Sequence, residues 1–334
     1  MEDLKISVVI PCLNEEKHIE TCIRSILENG YPKELLEIIV IDGVSSDNTL
    51  PILKKMQSEF AQIEVLVNVK KITPVSLNMG LNHASSTYVL IASAHSSFDT
   101  QYIQTLKNAL ENTPDAIGVG GPMKTLVKNE TPTSCAIQEI LQHRFGVGNS
   151  TFRTGSSEKV IVDTVPFGLY KTESLLAVGG YNERLVRNHD MELSKRLSEN
   201  GGRIYLIPET SCNYFARETY TELASNNYKN GKWNLLTVFI TRRFSSLSLR
   251  HFIPMLFILS LVVPSGLSLL FCPFIYLTLV SLLVYLLGIM YFSLTIKSNK
   301  TTFFHLFIGF MSLHFSYGIG SLIGLFNIPF IKKS

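Results

Sequence analysis

The sequence predicts an α/β protein: a mostly parallel sheet covered by helices on both faces, followed by C-terminal transmembrane helices. Three observations predict it. Two apolar runs near the start, Ile6-Ser7-Val8-Val9-Ile10 and Leu36-Glu37-Ile38-Ile39-Val40-Ile41, each stop at a polar, acid-bearing loop, Pro11-Cys12-Leu13-Asn14-Glu15 and Asp42-Gly43-Val44-Ser45-Ser46-Asp47. Strand-like and helix-like segments then alternate as far as residue 120, the pattern of a parallel sheet with crossover helices. After Phe244 the chain becomes a series of long apolar segments.

Each element has its own signal. Between the first two runs, Ile19, Cys22, Ile23, Ile26 and Leu27 form an i, i+3, i+4, i+7, i+8 stripe, the apolar face of a helix. Asn14 is expected to cap it, Glu15 and Glu16 to favour its first turn, and Gly30 to end it. Helices are then expected over Leu50–Met56, Pro74–Ala84 and Asp99–Leu110, and strands over Ile63–Val67, Tyr88–Ala92 and Ala116–Val119. From residue 121 the pattern loosens into a Gly-, Ser- and Thr-rich stretch. Strands at Val160–Val162 and Ile204–Ile207 flank a helix starting near Asp190. In an open sheet of this kind ligands bind beyond the carboxyl ends of the strands. The two acid-bearing loops therefore mark the ligand side, and a nucleotide is the first ligand they suggest.

The charge is unevenly divided. Residues 1–222 carry 21 Lys and Arg against all 27 Asp and Glu, and the nine remaining basic residues follow with no acid among them. Those basic residues cluster beside apolar stretches, as in a membrane segment facing anionic lipid, and no interleaving of aromatic and basic residues suggests nucleic acid. The five cysteines lack CxxC spacing, so neither a disulfide framework nor a zinc site is expected. No signal peptide is evident at the N-terminus, so the soluble part is expected to stay in a reducing cytoplasm. Phe252–Leu270, Phe274–Phe292 and Phe303–Phe326 are each long enough to cross a hydrocarbon core of about 30 Å. Cys272-Pro273 makes the first two a hairpin, with Arg242, Arg243, Arg250, Lys297 and Lys300 all on the cytoplasmic side. If the third segment spans, Lys332 and Lys333 fall outside, against the rule; a re-entrant or tilted segment avoids this. Gly320 and Gly324 have the spacing for close helix packing. His305 and His314 are polar at membrane depth, either functional or bonded to a neighbouring helix.

Several residues can carry chemistry. Asp42, closing the second strand, can accept from a base or ribose, or simply serve the Asp-Gly turn; Asp47 and Thr49 can cap the next helix. Asp190, in Arg187-Asn188-His189-Asp190-Met191-Glu192, can be a general base held by a helix N-terminus, or a first-turn acid. Glu192 can pair with Lys195 or Arg196. No Gly-x-Gly-x-x-Gly follows the first strand, which argues against a nicotinamide dehydrogenase.

Taken in order, Pro11-Cys12-Leu13-Asn14-Glu15, Asp42-Gly43-Val44-Ser45-Ser46-Asp47-Asn48-Thr49, Leu77-Asn78-Met79-Gly80, Gly179-Gly180-Tyr181-Asn182-Glu183 and Asn188-His189-Asp190 resemble glycosyltransferase family 2. Val119-Gly120-Gly121-Pro122, Phe145-Gly146-Val147-Gly148, Val162-Asp163-Thr164-Val165-Pro166-Phe167-Gly168 and His314-Phe315-Ser316-Tyr317-Gly318-Ile319-Gly320 are similar to its bacterial succinoglycan and exopolysaccharide branch. The resemblance implies a Rossmann-like, GT-A type nucleotide-diphospho-sugar transferase domain over 1–218, with a nucleotide-sugar half (1–120) and an acceptor half (121–218). Juxtamembrane helices over 219–250 and a membrane domain over 251–334 would follow. It further implies an inverting transfer, usually from a UDP-hexose, to a lipid-linked or growing glycan by an integral membrane protein with a cytoplasmic catalytic domain. Pro11, Asn14, Glu15, Asp42, Asn78, Ser93 and His95 would line the donor site, Asp190 would be the base, and Gly180, Tyr181 and His189 would lie on the acceptor side. Lys232-Trp233 is loosely similar to the family's Gln-x-x-Arg-Trp element: Lys232 would neutralise the diphosphate and Trp233 line the acceptor site or anchor at the membrane interface. Where the family has an acidic metal motif this chain has Ser93-Ala94-His95. His95 can still ligate Mg²⁺ or Mn²⁺, Ser93 is a poor ligand, and Asp99 can substitute or cap the next helix. Ser93 also keeps open a catalytically weak or inactive nucleotide-sugar-binding subunit, within a homo-oligomer or a polysaccharide assembly complex.

Overall fold

The computed structural model describes residues 5–244, 247–296 and 298–328; Lys297, Lys332 and Lys333, used in the charge argument, lie outside the described residues. The chain divides into two compact units, Met1–Lys124 with Thr151–Phe215, and Thr125–Ser150 with Ala216–Ser334.

The first unit is built on the expected parallel strands. β1 (Ile6–Cys12), β2 (Leu36–Asp42), β3 (Ile63–Val67) and β4 (Tyr88–Ile91) are mutually parallel, with β1 between β2 and β4. The later strands are β5 (Ser96–Phe98), β6 (Ala116–Gly120), β7 (Met123–Leu126), β8 (Val160–Ile161), β9 (Leu169–Lys171), β10 (Arg203–Leu206) and β11 (Cys212–Phe215). Among the described residues the main sheet runs β3-β2-β1-β4-β9-β6-β10-β8, and a small sheet runs β5-β11-β7. β9 was not expected. It lies antiparallel to both β4 and β6, and Gly118 in β6 makes room for it, because a Cβ there would stand 2.3 Å from the Tyr170 ring.

Both faces of the sheet are covered. Ile6, Val8 and Ile10 pack with Ile19, Cys22, Ile23, Ile26, Tyr102 and Leu106, while Val9, Ile39 and Ile41 pack with Leu77, Leu81, Leu193 and Leu197. Burying each such aliphatic side chain contributes about 1.5–3 kcal/mol.

Three boundary expectations are corrected. The helix Ile19–Leu27 is preceded by His18 and not capped by Asn14, which has φ 56°, because the Asn14 side chain is bonded to the neighbouring loop instead. It ends before Gly30, whose φ of +81° belongs to the turn beyond it. The helix expected from Asp99 starts at Tyr102, since the Asp99 carboxylate is held by Ser211 and by Lys124 (3.6 Å), away from any cap.

The second unit is helical: Pro132–Gln142, Tyr220–Thr241, Ile253–Leu267, Phe274–Thr295 and Phe303–Asn327, with shorter turns between. Thr131 and Ser134 form a reciprocal capping box that starts the first of these, and its Ala136, Ile137 and Ile140 pack on Leu306, Phe310 and Leu313. Three helical stretches among the described residues, Leu249–Leu267, Phe274–Thr295 and Phe303–Asn327, are long and apolar enough to cross a membrane. Gly320 and Gly324 do serve close packing: a Cβ on either would lie 2.1 Å from the Tyr228 carbonyl or 2.3 Å from that of Lys232. His314 is bonded within the unit, Nε2 to the Phe145 carbonyl (2.9 Å) and Nδ1 to the Tyr285 hydroxyl (3.3 Å), and His305 Nδ1 lies 2.8 Å from Thr302 Oγ1.

Candidate active site

The strand order of the main sheet reverses at β1: β2 and β3 extend to one side of it and β4 lies on the other. Loops leaving the carboxyl ends diverge at such a point and open a crevice for ligand. Glu15 follows β1, His95 follows β4, and His95 Nδ1 lies 3.1 Å from Glu15 Oε1, so this pair bridges the two loops. Ser93 Oγ is 3.3 Å from His95 Nε2. The loops after β1 and β2 are tied together. Asn14 N donates to Ser45 Oγ (2.8 Å), Asn14 Oδ1 accepts from Ser46 N (2.8 Å), and Glu15 N donates to Thr49 Oγ1 (2.8 Å). Asp42, only 2% exposed, accepts from both the backbone (3.0 Å) and hydroxyl of Ser45, so its carboxylate performs the turn role. Half-buried Pro11 sits in β1 opposite Ile41. Val44, a β-branched residue, is held at φ 62°, a conformation that costs on the order of 1–3 kcal/mol and persists only when its surroundings enforce it.

A second group forms around the turn Gly179-Gly180-Tyr181. Asn78, on the helix Thr73–His83, donates from Nδ2 to the Tyr181 carbonyl (2.9 Å) and accepts at Oδ1 from Tyr181 N (2.8 Å). Arg196 pins the same turn by donating to the carbonyls of Val178 (2.6 Å) and Gly180 (2.7 Å), while Glu192 pairs with it at 2.7 Å. Tyr181 meets His189 edge-on, centroids 5.8 Å apart. His189 and Asp190 open the helix His189–Glu199, entered through Asn188 at φ 61°. Asp190 is an exposed first-turn acid, placed where the helix dipole favours an anion. Burial lowers the His189 imidazole below its ordinary 6.5, against the opposing pull of Asp190. The arrangement offers one exposed carboxylate at a helix N-terminus, and tied, polar loops at the strand ends.

Residues 7–163 match the model of Glycosyl transferase family 2. The chain carries a glycosyltransferase family 2 domain. It is 27% identical over 233 residues, 68% of its own length and 71% of the other, to the dolichyl N-acetyl-α-D-glucosaminyl phosphate 3-β-D-2,3-diacetamido-2,3-dideoxy-β-D-glucuronosyltransferase of Methanococcus voltae. It is 30% identical over 213 residues, 63% of each chain, to the succinoglycan biosynthesis protein ExoA of Rhizobium meliloti. These matches place the transferase in glycan biosynthesis and agree with the resemblance read from its motifs. Its fold is similar to that of the mannosyltransferase PcManGT from Pyrobaculum calidifontis, solved with GDP-Man and Mn²⁺, with a TM-score of 0.61 over 98% of this chain and 88% of the other at 16% identity. At that identity the likeness shows the shared GT-A type fold.

Two side chains in the transferase escaped the sequence reading. Arg153 and Tyr214 belong to segments with no periodicity or motif. Tyr214 meets His95 edge-on at 5.3 Å, and the Arg153 guanidinium lies 5.8 Å from the Tyr214 ring centroid; burial pushes the Arg153 pKa down, with Tyr214, Cys212 and Asp190 pulling the other way. The chain His95–Tyr214–Arg153 thus connects the Glu15–His95 pair to the neighbourhood of Asp190. Lys232 and Trp233 lie on the helix Tyr220–Thr241 of the second unit, where both are half-buried. Among the described residues no three His, Cys, Asp or Glu converge as a metal cage. The crevice offers one carboxylate, Glu15, and one imidazole, His95. That set fits a divalent ion only if phosphate oxygens of a ligand supply the remaining positions, which is a usual habit of Mg²⁺.

Proposed function

We propose that the chain is a membrane-anchored, inverting hexosyltransferase that uses a nucleotide-diphosphate sugar, chiefly a UDP-sugar. It extends a lipid-linked or growing glycan at the cytoplasmic face. The observation that carries this reading is the Glu15–His95 pair at the point of strand reversal, in the same unit as a base exposed on a helix N-terminus. The nucleoside would sit over the loops holding Asn14, Glu15 and Asp42, with the diphosphate running toward Ser93 and His95. Asp190 takes the proton of the acceptor hydroxyl as its oxygen attacks the anomeric carbon. The bond to the diphosphate breaks on the opposite face and its electron pair leaves with the phosphate oxygen. A divalent ion bound with the donor would neutralise charge on the diphosphate, with Glu15 and His95 as its protein ligands. The dolichyl phosphate in the name of the Methanococcus relative and the apolar helices here favour a lipid-borne acceptor.

The test is transfer and donor hydrolysis by the full chain in detergent micelles with a panel of UDP- and GDP-sugars. Asp190→Asn should lower turnover by about 10²–10⁴-fold while nucleotide binding, read by calorimetry, is kept. An Asp190→Asn enzyme near wild-type rate would remove Asp190 from its role. Tight nucleotide binding with no turnover by wild type on any donor would favour the non-catalytic binding subunit, the reading that Ser93 motivates.

A further inference from the structure

Arg153 is placed in a way the fold alone does not explain. Its Nη1 is sealed from solvent and has no hydrogen-bond partner. The guanidinium is instead set against two rings, 5.5 Å from the centroid of Phe152 and 5.8 Å from that of Tyr214. An arginine stacked on aromatic faces keeps its edge free, and that planar fork matches a phosphate in a bidentate manner. A buried donor without an acceptor is costly and calls for something to fill it. A second sealed, unpartnered polar atom, His189 Nδ1, lies beside Asp190; burial works against the Arg153 charge, and Asp190 is among the groups that offset part of that cost. On the other side, Tyr214 connects Arg153 to His95 and so to Glu15 and Ser93, the place where an acidic metal motif is missing.

We propose that Arg153 is the protein's own cation for the donor's diphosphate, binding its terminal phosphate oxygens and stabilising the charge that builds there as the sugar leaves. The proposal rests on the glycosyltransferase reading and adds to it a leaving-group ligand that needs no metal. As the acceptor oxygen bonds to the anomeric carbon and its proton passes to Asp190, the departing diphosphate gains one negative charge. The Arg153 fork meets that charge directly. Tyr214 and Phe152 hold the guanidinium plane, so the cation is preorganised before the donor arrives.

The experiment is calorimetric binding of UDP and UMP to the full chain in detergent micelles with EDTA present, for wild type, Arg153→Gln and Arg153→Lys; GDP and GMP are run in parallel. Wild type should prefer the diphosphate over the monophosphate. Arg153→Gln should lose about ten- to a hundred-fold in diphosphate affinity while monophosphate affinity is unchanged, and Arg153→Lys should recover part of the loss. Diphosphate affinity unchanged in Arg153→Gln overturns the proposal. So does an equal loss for mono- and diphosphate, which means Arg153 serves the fold. A wild-type protein that binds none of the four nucleotides in EDTA but binds the diphosphates once Mn²⁺ replaces EDTA also overturns the metal-free role of Arg153, whereas binding none of them with or without Mn²⁺ overturns the glycosyltransferase reading itself.

Discussion

Asn78, which the family resemblance puts at the donor site, also holds a turn in the fold. Both of its amide atoms are engaged by the Tyr181 backbone, so it ties the helix Thr73–His83 to the turn leading into the Asp190 helix. Gly180 completes the joint: at φ +66° a Cβ would stand 2.6 Å from Asn78 Oδ1. Gly180→Ala should therefore cost about 1–2 kcal/mol for the left-handed backbone, plus a steric penalty against Asn78. In Asn78→Ala the steric part is already gone, so the two losses should be less than additive when combined. Thermal unfolding of the two single variants and the double variant measures this. Strict additivity would mean that the two residues do not share one joint. The same economy holds at Asp42, where Ser45 occupies the carboxylate. Sequence alone left the turn and the ligand as equal readings there, because Asp-Gly is demanded by either.

The helices of the second unit show which glycines are structural. On Phe303–Asn327, Gly324 faces the Lys232 carbonyl so closely that a Cβ would lie 2.3 Å away, whereas a Cβ on Gly266 would meet nothing within 4 Å. Gly324→Ala must push apart two helix backbones and should destabilise by about 1–3 kcal/mol. Gly266→Ala should be neutral or stabilising, by up to about 1 kcal/mol from helix propensity. Melting temperatures in one detergent compare them, and a Gly266→Ala variant that falls as far as Gly324→Ala would refute the packing argument. The small-xxx-small spacing made Gly320 and Gly324 legible beforehand, as the apolar stripe did for Ile19–Leu27 and the unbroken runs did for β1 and β2. Elements without such periodicity were not legible. β5 and β9 are three residues long and β7 and β11 four, and none is an unbroken apolar run of the kind that made the equally short β4 legible. Arg153 and Tyr214 came to the site through tertiary packing, for which no spacing rule exists. Asn14 misled because Asn suits a helix cap and a left-handed turn alike, and Ser45 and Ser46 decided the matter from a distant loop.

Across the whole molecule, the two apolar helices Ile253–Leu267 and Phe274–Thr295 are joined by a short connection containing Cys272, and this geometry makes the orientation testable. Cys12, Cys22, Cys135 and Cys212 are buried, whereas Cys272 is exposed. Burial also pushes the thiols of Cys12, Cys22 and Cys212 up, which removes the thiolate that alkylation requires. A thiol reagent applied to the folded protein should therefore report on Cys272. Arg242, Arg243 and Arg250 precede the first helix and are expected on the cytoplasmic side; one crossing later Cys272 should stand on the opposite side. A membrane-impermeant maleimide should label the protein in intact cells but not in sealed inverted vesicles, and Cys272→Ser should abolish the signal. The reverse pattern would put the glycosyltransferase domain outside, where cytoplasmic nucleotide sugars do not reach it, and the proposed donor would have to be abandoned. Labelling from the outer face would put the acidic residues 1–222, with their −6 charge, on the same side as Arg242, Arg243 and Arg250, the side that anionic lipid favours for basic residues. The acidic domain and the basic membrane collar would then lie on the same side of the bilayer, the side where a lipid-linked acceptor and a soluble donor can meet.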